Sequence, residues 1–327
     1  LGFYLGPKSA TSQWKETLLK FKSRVSEAKD LSVPTALVGS VFASRSVSVL
    51  GYKAQLVPPP PNFIHAELWA AHKLLGMPKA LSTTAIYCLD HFHGPKLIRP
   101  SLYMKACMLR AFVRTVVGAS SLHHELSEVA DEGVCLSQLP FGDFRPPGWE
   151  EHAFCTNLVM ASKEPDIAEA VASFSQANLG RKGAQAFFYN LLKAKALCDW
   201  NAFLKHKLRF VQCDPLDGWE LTCCREEALR THLKRLGMRA SLAIIKTWTN
   251  AWTTSSRMNE EVKLKCLFGC DAHDKLDHYL VCDPLWTAVI SACFPRTELS
   301  QTRPLIKVGL IYPKMEWLQM TSVAFSC

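Results

Sequence analysis

Cys266, Cys270, His278 and Cys282 make the phrase Cys-x3-Cys-x7-His-x3-Cys within KCLFGCDAHDKLDHYLVC. Three thiolates and one imidazole are a full tetrahedral donor set for zinc, with no coordination position left for water. Such a site builds structure, whereas a hydrolytic zinc keeps a position open. The competing account is a set of buried cysteines, because the chain has 13 Cys and free Cys is a common core residue. Three Cys and one His within 17 residues, around a glycine, favour the metal. His273 is a candidate substitute ligand, and Cys293 a weaker one.

The elements that must position these donors are legible nearby. Gly269 precedes the second Cys, where a tight turn is needed and a side chain would interfere. Residues 277–282 read as helical, which puts His278 and Cys282 four apart on one face. Pro284 then stops or redirects that helix. Asp271, Asp274 and Asp277 lie between the ligand pairs, and one of them could orient the His278 ring through its other nitrogen.

The 327 residues are 48% hydrophobic and 20% charged, a globular composition with enough apolar mass for a sizeable core. The length suggests about two domains. No run of 18 apolar residues occurs, so no membrane span is expected, and no signal peptide is visible. Thirteen Cys without a secretory signal imply a reducing compartment, nuclear or cytoplasmic, with thiols free or on metal. The chain starts at Leu1 and reads as a fragment of something longer.

Net charge is +9, unevenly spread. Residues 1–130 carry 15 Lys+Arg against 7 Asp+Glu, and residues 131–180 carry 2 against 8. Residues 181–265 carry 16 against 8, and residues 266–327 carry 5 against 6. Two basic blocks flank an acidic one, and the second runs into the Cys/His phrase. Basic blocks favour polyanions; solvated helix surfaces are the plainer account of such charge.

Apolar spacing reads as mainly α. Trp14, Leu18, Phe21, Val25 and Ala28 form a helical stripe. Pro34 can open a second helix to about Leu50. Pro58 to Pro61 make a stiff spacer, after which Asn62 caps a helix with Phe63, Ala66, Leu68, Trp69, Leu74 and Leu75 on its apolar surface. Further helices are expected at 101–118, 165–178, 184–211, 224–236 (closed by Gly237) and 239–252. The Pro/Gly-rich stretch 139–148 is the expected domain boundary. In the 239–252 helix, Trp248 and Trp252 share a face. They either stack nucleobases beside Lys246 and Arg257 or pack the zinc segment onto the helical body; packing is the favoured reading.

Other chemistry is thinner. Cys88, His91 and His93 offer three donors without a fourth nearby. His123-His124-Glu125 lacks the His-Glu-x-x-His spacing, and GPKSAT lacks phosphate-loop spacing. Cys223-Cys224 reads as one buried and one exposed thiol.

Several phrases together resemble non-LTR (LINE-type) retrotransposon reverse transcriptases. LGFYLGP followed by Trp14 and a Lys/Arg-studded helix is similar to the junction leaving the polymerase palm. SVLGYKAQLVPPPP and AELWAAHKLLGMP resemble the helical thumb beyond it. KTWTNAWTTSSRM, the Cys/His phrase and DPLW resemble the C-terminal zinc-binding segment. The resemblance implies the end of the palm and its primer-grip hairpin at 1–8, a helical thumb-like domain at 9–138, a linker at 139–148 and a helical connector at 149–240. A small zinc subdomain at 241–295 and a tail at 296–327 follow.

The same resemblance implies an RNA-directed DNA polymerase whose partners are RNA and DNA (template–primer and target) and the palm of the same protein, with no membrane. Lys8, Lys15, Lys20, Lys22 and Arg24 would track the template–primer backbone, which suits phosphate contact without base reading. Arg230, Lys234, Arg235 and Arg239, with Lys246, form the second basic set. Zinc would be structural. Mg²⁺ belongs to the intact polymerase, whose palm aspartates hold two ions. No Asp-Asp pair occurs here, and Asp90, Asp131, Asp143 and Asp166 are scattered, so this chain is expected to be inactive alone. The alternative is a stand-alone helical zinc protein that mediates protein contacts.

Overall fold

Helices supply nearly all regular structure in the computed structural model, which describes residues 13–55, 57, 59–77, 81–116, 183–211, 220–293, 304–310 and 313–325. Among these residues the β-structure is one isolated antiparallel bridge, Lys265 to His273. In chain order the helices are α1 (Lys15–Asp30), α2 (Thr35–Val41), α3 (Ser48–Ala54), α4 (Phe63–Leu75), α5 (Thr83–Ile86), α6 (Pro100–Val116), α7 (Ala184–Lys195) and α8 (Trp200–Lys207). They continue with α9 (Cys223–Leu236), α10 (Met238–Trp248), α11 (Leu276–Val281), α12 (Asp283–Cys293), α13 (Pro304–Lys307) and α14 (Met315–Ala324). No helix among the described residues is long and apolar enough to cross a membrane.

The chain divides into two compact units: 1–31, 40–70 and 98–197 form one, and 32–39, 71–97 and 198–327 the other. In the first, the expected stripe of α1 is buried through Phe21, Val25 and Ala28, with Trp14 buried just before the helix. Phe21 packs against Phe42 and Phe63, each 6.1 Å between ring centroids. Helices α6 and α7 bury Ala106, Leu109, Ala184, Phe188 and Leu192 together. Glu67, wholly buried on α4, accepts from Arg99 Nε and from the Ser101 backbone N–H, both at 2.9 Å. A carboxylate from one helix thus satisfies an unpaired amide in the first turn of another and neutralises a neighbouring guanidinium.

In the second unit, Phe92 meets Trp200 and Trp248 edge-on, at 5.1 and 5.3 Å. Trp248 is fully buried, and its Nε1 donates to the Val308 carbonyl at 3.0 Å. His91 lies 2.6 Å from the Glu226 carboxylate, which holds the turn before Gly94 onto α9. Helix α9 starts at Thr222, whose hydroxyl accepts from Arg225 N–H. Gly237 at its other end has φ +85°, the backbone region that glycine enters without strain.

Three expected helices differ in extent. The single helix expected at 184–211 is two, because Asp199 starts a new one: its Oδ1 accepts from Ala202 N–H at 3.0 Å, a side-chain N-cap. The helix expected from Pro34 to Leu50 runs on to Ala54, with a π-helical stretch at Phe42–Val47. Ser44 and Ser48 there donate to carbonyls one turn back, Ser40 and Ser44, competition that loosens regular winding. The helix expected at 239–252 ends at Trp248. Asn250 at φ +49°, with Ala251 N–H on the Lys246 carbonyl and Asn250 N–H on that of Thr247, closes it as a Schellman motif. The opening 1–8 segment, the 139–148 boundary, the 165–178 helix and the HHE phrase lie outside the described residues.

Candidate metal centre

A short hairpin delivers the first two donors. Cys266 N–H bonds the Ala272 carbonyl at 2.8 Å and Asp274 N–H the Leu264 carbonyl at 2.9 Å, so the chain doubles back between them. At its tip Gly269 has φ +84° and open space around it, so the turn is required by backbone conformation and not by crowding. The Phe268 N–H approaches Cys266 Sγ at 3.4 Å. Helix α11 supplies His278. Cys282, four residues on, caps the same helix (φ −67°, ψ 104°), and its donor atom lies within 4.8 Å of that of His278, as the shared face expected of the pair requires. An extended residue there redirects the chain before Pro284.

The four donor atoms lie within 4.8 Å of one another. Cys282 Sγ is 3.7 Å from Cys266 Sγ and 3.6 Å from Cys270 Sγ. These distances rule out disulfides, whose sulfurs sit at about 2.0 Å. They match the edge of a tetrahedron with metal–sulfur bonds of about 2.3 Å, which is about 3.8 Å. His278 Nε2 is buried and has no hydrogen-bond partner. An orphaned imidazole nitrogen facing three thiols is costly unless something accepts its lone pair. This group could hold a metal ion, and its donors and spacing are compatible with zinc.

Electrostatics set what metal binding would require. Burial holds the Cys282 thiol well above the usual thiol range; the Leu285 amide opposes this, and the neighbouring thiols add to it. Crowded sulfurs cannot all ionise unless a cation sits among them, and a bound divalent ion inverts that balance. Cys266, Cys270 and Cys282 would then bind as thiolates and His278 through Nε2. The ion's contribution would be to crosslink the hairpin to the α11–α12 junction.

Asp274 and Tyr279 fasten this site to its surroundings. Asp274, buried, accepts from Ser255 N–H at 2.6 Å and from the Tyr279 hydroxyl at 2.7 Å. That hydroxyl in turn receives Leu267 N–H at 3.4 Å. Burial, then the bond to Asp274, raises the Tyr279 pKa beyond the ordinary phenol range, so this hydroxyl is a fixed donor. Of the three aspartates considered as orienters of His278, Asp274 is thus spent on the hairpin, and exposed Asp271 pairs with Lys265 at 2.8 Å. Behind the site, Trp286 is fully buried, with Nε1 donating to the Tyr279 carbonyl at 3.0 Å. Lys307 crosses its ring at 5.0 Å and donates to the Leu280 carbonyl. Trp286 therefore anchors the metal segment in the way expected of the Trp248/Trp252 pair. Its phrase, DPLW, was visible in sequence; the Asp274–Tyr279 link was hidden because it joins side chains across a turn.

The basic candidates fall into two sets. Lys15, Lys20 and Lys22 project from α1 into solvent, while Arg24 donates to the Arg45 carbonyl at 2.6 Å; Lys8 lies outside the described residues. Arg230, Lys234 and Arg235 are exposed on α9, opposite buried Leu229 and Leu233, and Arg239 is exposed on α10. Lys246 is half-buried, with Nζ 3.4 Å from the Gly76 carbonyl and 5.3 Å over the Trp252 ring. Trp248, buried at 0% exposure, has no face for a base. Trp252 lies beyond the helix, donates to Thr247 and stacks on Phe325. His273 is exposed in the hairpin bridge and outside the donor cluster. Cys223 and Cys224 are both exposed, because they occupy the first turn of α9 on its solvent side, correcting the expectation of one buried thiol. Comparison with family models, with curated proteins and with solved structures gives no match.

Proposed function

We propose that this chain is a nucleic-acid-binding part of a retroelement RNA-directed DNA polymerase, held together at its C-terminal end by a structural zinc ion. The observation that carries the reading is the pairing, within one compact unit, of a closed Cys3His donor set with an exposed Lys/Arg surface at Arg230, Lys234, Arg235 and Arg239. A closed site organises a fold and leaves no position for a substrate. Exposed cations without base-reading geometry suit backbone phosphates. The phrases that resemble LINE-type reverse transcriptases supply the biological setting, in which the polymerising aspartates belong to the palm. The test is binding of the full chain to an RNA–DNA hybrid across a salt series. Affinity should fall steeply as salt rises; affinity indifferent to salt refutes phosphate contact.

One observation favours a second reading, a zinc module for protein contacts. The hairpin exposes Val262, Leu264, Leu267 and Phe268, with Leu267 at 80% and Phe268 at 43%. Clustered exposed apolar side chains commonly mark protein interfaces. Loss of a protein partner, with hybrid binding intact, on Leu267→Asp would favour this reading.

A further inference from the structure

The three sulfurs of the Cys/His cluster are not equivalent. Cys266 and Cys282 are buried, at 6% and 1% exposure. Each also receives a backbone amide: Phe268 N–H reaches Cys266 Sγ at 3.4 Å, and Leu285 N–H bonds Cys282. Such bonds draw charge from a thiolate and occupy a lone pair that would otherwise react. Cys270 differs on both counts. It is partly open to solvent, and among the described residues no backbone amide donates to its sulfur. Its neighbour Gly269 has nothing within 4 Å of where a Cβ would lie, so the turn leaves room beside Cys270 for a small reagent. Susceptibility to oxidation follows thiolate character and exposure, and within the cluster these coincide at Cys270 alone. A second sulfur, that of Cys282, stands 3.6 Å away.

We propose that Cys270 is a modification site, the reactive sulfur through which a hydroperoxide oxidises the cluster and expels its metal. In the first step the Cys270 thiolate attacks one peroxide oxygen. The O–O bond breaks, Cys270 becomes a sulfenic acid and hydroxide leaves. In the second step the Cys282 thiolate attacks the Cys270 sulfur. An S–S bond forms, the S–OH bond breaks and a second hydroxide leaves. The two thiolates together lose two electrons, and the peroxide gains them. Of its four donors the ion then keeps Cys266 and His278, and it passes to solvent as Zn²⁺. The sulfurs must close from 3.6 Å to about 2.0 Å. The hairpin can supply that movement, because from 256 to 273 Cys266 is the one buried side chain. The new bond keeps Cys270 and Cys282 together, so a thiol reductant restores the donor set. While oxidised, the hairpin loses its anchor at Cys266, and with it the fixed placement of exposed Leu267 and Phe268. The inference rests on zinc at the cluster and not on the retroelement reading.

The experiment uses the reduced full chain with its zinc, carrying Cys223→Ser and Cys224→Ser so that these exposed thiols do not consume the oxidant. Hydrogen peroxide is added in small excess, and zinc release is followed with a chromophoric chelator. Thiol labelling and peptide mass spectrometry then map the cysteines. One zinc should leave for each Cys270–Cys282 disulfide formed, and dithiothreitol with added zinc should reverse both changes. A limiting amount of iodoacetamide should alkylate Cys270 before Cys266 or Cys282. Cys270→His keeps four donors, since imidazole and thiolate both serve tetrahedral zinc, and should slow peroxide-driven release severalfold. Cys266→His should release at the parent's rate. Release from Cys270→His as fast as from the parent, slowing as large in Cys266→His, or alkylation of Cys266 or Cys282 ahead of Cys270 overturns the inference and leaves the zinc site standing. Should Cys270→His fail to hold zinc, the order of alkylation in the parent decides. Absence of zinc from the reduced protein overturns the zinc reading and this inference with it.

Discussion

A strong chelator should unfold the segment that a metal at Cys266, Cys270, His278 and Cys282 would crosslink and leave the first unit folded. From 256 to 273, 18 consecutive residues, Cys266 is the one buried side chain. Burying a single small apolar group stabilises by at most about 1.5–3 kcal/mol. Fixing each backbone residue costs about 1–2 kcal/mol, so the hairpin cannot hold its shape by packing. Structural zinc contributes roughly 10–16 kcal/mol in small finger peptides, enough to dominate the local balance. Amide hydrogen exchange on the full chain, with and without a strong chelator, reads this directly. Protection should vanish at the amides of Cys266, Gly269 and Asp274, which bond within the hairpin, and at Leu267, which bonds Tyr279. It should persist across the α6–α7 pair of the first unit. Cys282→Ser should behave like the chelated protein, and purified reduced protein should carry one zinc per chain. Hairpin protection that survives when metal analysis finds no ion refutes the reasoning.

Three further outcomes are expected. Glu67→Ala leaves Arg99 without its buried partner and Ser101 N–H without an acceptor, and should destabilise by about 3–5 kcal/mol in denaturant unfolding. Glu67→Gln should recover part of that loss. Burial pushes the Cys107 thiol up to about 11, against the opposing effects of Arg110 and Tyr103. The native state thus keeps a proton that the unfolded chain releases near pH 9. This contribution is complete below about pH 9 and is lost as pH rises toward 11, at about 1.4 kcal/mol per pH unit; Cys107→Ala should flatten the measured slope. Tyr279→Phe removes the hydroxyl between Asp274 and Leu267 N–H and should weaken metal affinity about 10-fold or more by competition with a chromophoric chelator.

What the sequence disclosed, and what it hid, follows from the range of the forces involved. Local rules were readable: the stripe of α1, the glycine that ends α9, the turn at Gly269 and the four donors all depend on neighbours within one or two turns. Helix ends escape the spacing rules where a local interaction overrides them: the Asp199 side chain starts α8, and the left-handed backbone of Asn250 closes α10. Pairings across long separations were invisible. Nothing near Glu67 announces Arg99, and nothing near His91 announces Glu226. The aspartates between the ligands were seen as a group, yet only the hairpin fold distinguishes Asp274, buried against Ser255 and Tyr279, from Asp271, which faces solvent.

The Cys/His cluster and a cleft beside it, lined by Thr254, Ser256, Lys275 and Asp277 among others, are linked by the chain itself. Thr254 and Ser256 approach Asp274, the former through the turn whose Ser255 amide bonds that carboxylate and the latter through Ser256 N–H on the Asp274 carbonyl. Lys275 and Asp277 bracket the start of α11, which carries His278. A metal that fixes His278 and Cys282 therefore fixes one wall of the cleft, and Asp274 fixes the other through the 254–256 turn. A closed site would in this way act by position, fixing side chains that are not its ligands.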